Sequence, residues 1–233
     1  MSSRKNTARL AGLLYLVFSL CGFFSLMYVP SVVFVTGDAA ATAGNIVAHE
    51  TLYRAGIVGN LIGSVGFIFV ALALYELLKE VNKTQAFLMV TLIVVSLPIS
   101  LLNEVNHLAA LKLLSGAGYL SAFQKPQLDA MVMLFLGLWG QGIVIAQIFW
   151  GLWLFPLGIL VYKSRFLPWV LGVFLFIAGF GNVAASLNSL LQPHYVHAIA
   201  SVTEILAAGE LPIIFWLLIM GAKEQQAGQV AKS

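Results

Sequence analysis

Apolar residues run through this chain in stretches that a soluble core has no room for, and short charged gaps separate them. Six such stretches cover residues 10–29, 54–78, 85–114, 128–162, 168–190 and 198–222. Each exceeds the roughly 18 residues at which an apolar stretch reads as a membrane-spanning helix. The expected fold is therefore all-α: one domain, an integral membrane bundle of six transmembrane helices. Only 9% of residues are charged, against about 25% in soluble domains. The formal charge of +3 is confined to the gaps, so the partner is the lipid bilayer and not nucleic acid. Cys21 is the single cysteine, which excludes an internal disulfide, a thiol redox pair and a zinc finger.

Orientation follows from where the positive charges fall. Arg4, Lys5, Arg9, Lys79, Lys83, Lys163, Arg165, Lys223 and Lys232 lie on one side of the alternating spans, and Arg54, Lys112 and Lys125 on the other. Cytoplasmic loops carry the excess of Lys and Arg, so both termini are expected in the cytoplasm and the protein in the inner (plasma) membrane. The opening MSSRKNTARL before an apolar run has the form of a secretory signal. Its 20-residue run suits a span better, and no small-x-small cleavage site follows it. The segment is read as a retained helix with Pro30 just past its end.

Several features bear on packing. Pro98, Pro156 and Pro212 fall inside apolar runs, where each removes a backbone donor and crowds the preceding turn. The fourth run has 35 residues, longer at ~1.5 Å each than a ~30 Å hydrocarbon core. It either tilts and projects, or breaks near Gly137 to Gly142. Between the first two spans, Asp38 is placed to cap a short helix on the outer surface. Gly56, Gly59, Gly63 and Gly66 share one face of the second span, where a neighbouring backbone can approach, within the chain or in a helix-mediated oligomer.

The third span carries the most information. Ser96, Ser100, Asn103, Glu104 and His107 fall at offsets 0, 4, 7, 8 and 11, so all five occupy one helix face that must avoid lipid. Asn60 and Ser64 on the second span, Asn182, Ser186 and Ser189 on the fifth, and His197, Ser201 and Glu204 on the sixth lie at matching depth toward the outer side. Glu210 points to another face. An outward-opening polar pocket between spans 2, 3, 5 and 6 is the inference, with Asn60, Asn103, Glu104, His107, Asn182, Ser186, Ser201 and Glu204 as its candidate lining. Polar side chains also simply join helices, at ~0.6 to 2 kcal/mol each, and that account suits the Ser and Asn residues. It suits Glu104 and Glu204 less, because an acid inside a span is costly and usually marks a pathway or site.

Three functional readings follow. The first is binding or transfer of a small polar solute or proton from the outer side. The second is a non-catalytic accessory subunit, which the glycine face would serve. The third is an intramembrane metalloenzyme, since Glu104 and His107 form a Glu-x-x-His pair of the kind used in carboxylate-bridged metal bundles. His197 and Glu204 would have to complete that ligand set. No phosphate loop, His-Glu-x-x-His run or nucleophile elbow occurs, so no catalytic residue is assigned and no cofactor is expected.

The motifs TGDAAATAGNI, YRAG, YLSAF and FWGLWLFPLGILVYKSRFLPWVLGVFLFIAGFGN together resemble a bacterial and archaeal membrane family, domain of unknown function 4386. The resemblance runs from about Ala8 to Leu191. Its most specific stretch is Gly158, Tyr162, Ser164, Phe166 to Pro168 and Gly172. It implies a multi-helix membrane protein of a prokaryotic inner membrane, with no activity attached, and its motifs include neither Glu104 nor Glu204.

Overall fold

The computed structural model describes residues 4–192 and 208–223, which form an all-α membrane bundle with no strand among them. In chain order the helices are α1 (Arg4–Phe23), α2 (Val29–Val33), α3 (Ala39–Ala48), α4 (Glu50–Leu78) and α5 (Lys83–Leu113). They continue with α6 (Lys125–Leu152), α7 (Leu154–Lys163), α8 (Trp169–Leu191) and α9 (Leu211–Ile219). Among the described residues five stretches are long and apolar enough to cross a membrane: Arg4–Val33, Glu50–Leu78, Lys83–Leu113, Lys125–Lys163 and Trp169–Leu191. The sixth expected span, 198–222, lies partly outside the described residues. Its described part is a 3-10 turn, Ala208–Glu210, followed by α9.

The chain divides into two compact units. One contains Met1–Val17, Phe67–Val95 and Gln147–Ser233; the other contains Phe18–Gly66 and Ser96–Ala146. They are called here the terminal unit and the middle unit.

In the middle unit the first span does not stop at Pro30. A π-helical turn, Phe24–Tyr28, leads into α2, and Pro30 falls in the first turn of that new helix, where its missing N–H leaves no bond unmade. Asp38 caps α3 by accepting the Ala41 N–H at 2.9 Å. Ile46 of α3 joins a buried cluster with Val33, Tyr53, Ile57, Ala110 and Val132, which anchors this short helix through apolar contact. The glycine row of α4 receives the first span of the same chain. A Cβ at Gly56 would meet Val29, one at Gly59 the Ser25 hydroxyl, one at Gly63 Cys21, and one at Gly66 the Phe18 ring. The glycine face thus takes up a helix of its own chain.

Of the two alternatives for the fourth run, the break near Gly137 to Gly142 does not occur: α6 is unbroken there, and the interruption falls at Trp153. Pro156 explains the position. Proline has no N–H for the carbonyl four residues back and its ring crowds that carbonyl, which here is Leu152, the last residue of α6.

In the terminal unit, α7 and α8 approach so closely that only glycine fits between them. A Cβ on Gly172 would lie 2.8 Å from the Gly158 carbonyl oxygen, and one on Gly158 would lie 3.1 Å from that of Gly172. The intervening turn is held by Ser164, whose hydroxyl donates to the Val161 carbonyl at 2.8 Å and accepts the Leu167 N–H at 3.2 Å. A backbone oxygen cannot swing aside as a side chain can. Gly172→Ala is therefore expected to lose about 2 kcal/mol to overpacking against a helix-propensity gain of about 1, a net destabilisation of about 1 kcal/mol. Gly140→Ala, where a Cβ meets nothing within 4 Å, is expected to be neutral or stabilising. Thermal unfolding of the two purified variants checks this, and equal shifts would show that the α7–α8 contact is not close.

Candidate functional site

The polar face of α5 is buried in the middle unit. Ser96, Ser100, Asn103, Glu104 and His107 are each less than a tenth exposed, Glu104 only 3%. α4 supplies Asn60, whose Nδ2 donates to Glu104 Oε1 at 2.6 Å. α6 supplies Trp139, whose indole Nε1–H donates to the same oxygen at 3.1 Å. Among the described residues no hydrogen bond reaches Glu104 Oε2. Asn103 fixes the α5–α6 register by donating its Nδ2 to the Trp139 carbonyl at 2.8 Å. Its amide fills the space that a Cβ at Gly142 would need, so the glycine of LGLWGQG admits a polar side chain and does not break the helix. Asn106 donates in turn to the Asn103 side-chain oxygen at 3.0 Å.

His107 lies among aromatic rings. Its ring is stacked on Tyr53 at 5.0 Å between centroids, meets Trp139 edge-on at 4.5 Å, and lies 6.3 Å from Phe34. Both imidazole nitrogens are buried with no hydrogen-bond partner among the described residues, and so are Tyr53 Oη and Ser25 Oγ. A buried polar atom without a partner costs about 1 to 3 kcal/mol, so this concentration of them is costly as structure alone. Chemically the site offers a carboxylate with one oxygen held by two N–H donors and the other open, and on the same helix face an imidazole able to accept or donate.

The remaining candidates fall elsewhere. Asn182 and Ser186 belong to the terminal unit, where Asn182 Oδ1 accepts from Gln147 at 3.2 Å and its Nδ2 donates to the Ala178 carbonyl at 3.1 Å. Ser186 is fully buried there. His197, Ser201 and Glu204 lie outside the described residues. Among the described residues no three His, Cys, Asp or Glu side chains gather to hold a metal. The fourth span, absent from the expected pocket wall, instead provides Trp139 and Gly142.

A second acid is held in the terminal unit. The Tyr15 hydroxyl of α1 donates to Glu210 Oε2, at the start of α9, where Pro212 occupies the first turn. Phe67 and Trp153 wall this pair, their rings 5.3 and 5.8 Å from that of Tyr15. Glu210 is visible in the sequence as an acid within an apolar run. Nothing in the sequence marks Tyr15, one aromatic among many in its span.

The family described as domain of unknown function (DUF4386) matches residues 10–221 of the chain. An uncharacterised protein of Archaeoglobus fulgidus is 31% identical over 176 residues, covering 74% of this chain and 86% of its own length. No solved structure matches.

Proposed function

The chain belongs to the family of domain of unknown function 4386, and from that premise we propose that this multi-pass membrane protein binds and passes a small polar solute or a proton at the Glu104 cluster. The observation that carries the reading is where the polar side chains lack partners. All four buried side-chain atoms without a hydrogen-bond partner among the described residues, on Ser25, Tyr53 and His107, belong to the middle unit. That unit also holds Glu104, an acid within a span and open at one oxygen. Helix joining pairs polar side chains with one another, as Gln147 pairs with Asn182, whereas a binding site keeps donors and acceptors for its occupant.

Glu104 accepts a proton, a cation or an N–H or O–H of a solute at Oε2, while Asn60 and Trp139 hold Oε1 in place. His107 supplies the complementary acceptor or donor. The excess of positive charge at the termini marks the cytoplasmic side, so Lys112 lies toward the outer end of α5, with Glu104 eight residues, or ~12 Å along the helix, before it. Dicyclohexylcarbodiimide modifies protonated carboxyls in apolar surroundings. It is expected to label Glu104, less as pH rises, with Glu104→Gln losing the mapped peptide adduct. Absence of that adduct at every pH would overturn the reading.

Access is tested separately. Asn106 is half-buried beside Asn103. In a Cys21→Ser background, Asn106→Cys is expected to react with a membrane-impermeant maleimide added to intact cells. A folded variant that reacts only after permeabilisation would place this face on the cytoplasmic side.

A further inference from the structure

A cavity of about 450 Å³ opens in the terminal unit, lined by Lys5, Phe166, Trp216, Met220, Gly221, Ala222 and Lys223. Its volume lies in the range of small-ligand sites. The sequence brings it together from the beginning of α1, the Ser164 turn and the end of α9. Gly221 has φ +71, and a Cβ there would lie 3.0 Å from Lys5 Cγ, so the lysine stem lies along the backbone that leaves α9. The Lys223 N–H donates to the Phe166 carbonyl at 3.2 Å, which fixes the opposite wall.

Among the described residues the charges here are not balanced. Arg4 pairs with Glu80 at 2.8 Å and lies over the Phe166 ring at 4.7 Å. Arg9 donates to the Ile219 carbonyl at 3.1 Å, satisfying a helix C-terminus. Lys5 and Lys223, both exposed, form no ion pair among the described residues. Lys5 and Lys223 thus line a cavity whose other walls include Trp216, the buried Phe166 and Met220, which is 57% exposed. A small soluble anion would use the ammonium groups and leave the apolar wall in water; an amphipathic anion uses both. Where the charged start of α1 meets the end of the apolar α9, with an indole beside two basic residues, that ligand is a lipid.

We infer that this cleft binds the phosphate headgroup of an anionic phospholipid between Lys5 and Lys223, with the start of its acyl chain along Trp216 and Met220. The site is independent of the Glu104 cluster.

The test uses the full chain in maltoside micelles, titrated with phosphatidylglycerol brominated on its acyl chains, with tryptophan fluorescence as the readout. The anionic lipid is expected to quench a component that Trp216→Phe lacks, at mole fractions where brominated phosphatidylcholine leaves it unchanged. Lys5→Gln with Lys223→Gln, both at exposed positions that leave the fold intact, is expected to weaken the anionic preference roughly tenfold or more. Inorganic phosphate is the competitor. Reversal of the quench by phosphate supports recognition of the phosphate group by the two lysines. Equal quenching by the zwitterionic lipid, or an unchanged preference in the double variant, overturns the proposal. A phosphate-dependent rise in melting temperature without any lipid quench of Trp216 overturns the lipid assignment in favour of a free anion.

Discussion

Glu104→Ala is expected to destabilise the protein by about 3 kcal/mol, and Glu104→Gln by about 1 kcal/mol or less. Alanine removes the oxygen that accepts from both Asn60 Nδ2 and Trp139 Nε1, leaving two buried donors with no partner. In water-soluble folds each such donor costs about 1 to 3 kcal/mol, while in membranes the measured range is lower, ~0.6 to 1.7, because the unfolded chain finds other partners in the bilayer. The two ranges meet near 1.5 kcal/mol per donor. Glutamine keeps an acceptor at Oε1 and so keeps both bonds, but it cannot take up a proton at the second oxygen. The pair of variants therefore separates fold from function: Gln retains the melting temperature and loses carbodiimide reactivity, whereas Ala loses both. Thermal unfolding in one detergent at constant lipid content checks this. Equal shifts for Ala and Gln would show that the two donors contribute nothing, and the geometric basis for a prearranged carboxylate would fail.

How far the sequence determines this site can be seen residue by residue. The side chains of one helix face follow from spacing alone, which is why Asn103, Glu104 and His107 are found together on α5, and why the Asp38 cap on α3 is foreseeable from local chemistry. What spacing does not contain is the rotation of one helix against another. Trp139 reads as one more aromatic in an apolar run, and only the α5–α6 register, held through Asn103 and Gly142, turns its indole toward Glu104. Asn182 repeats the offsets and depth of a pocket residue, yet its amide is taken up by Gln147 and the Ala178 carbonyl, a local pairing that no count of polar residues distinguishes from a site. The break in the fourth run shows the same division. Glycines drew attention to Gly137 to Gly142, but α6 runs on through them and the interruption falls ahead of Pro156, while α5 continues through Pro98, so neither residue type by itself fixes where a span breaks.

Tyr15→Phe is expected to cost about 2 kcal/mol and Glu210→Gln less than about 1, so the hydroxyl contributes more than the charge it faces. Phenylalanine fits the same aromatic surround, with Phe67 and Trp153 at 5.3 and 5.8 Å, so packing is conserved and the loss isolates the hydrogen bond. It leaves a carboxyl of Glu210 in apolar surroundings without its donor. Glutamine in its place still offers an oxygen to the phenol. If the bond is what holds α1 to the start of α9, then Tyr15→Phe combined with Glu210→Leu should be less destabilised than the sum of the two single changes by about 1 kcal/mol or more, since the second change removes the group left stranded by the first. Additive effects in that cycle would mean that the pair contributes no coupling. A coupled result gives the pair a structural role in holding α1 to α9. It also separates this acid from Glu104, which shares its helix face with His107, a buried imidazole whose two nitrogens have no hydrogen-bond partner among the described residues.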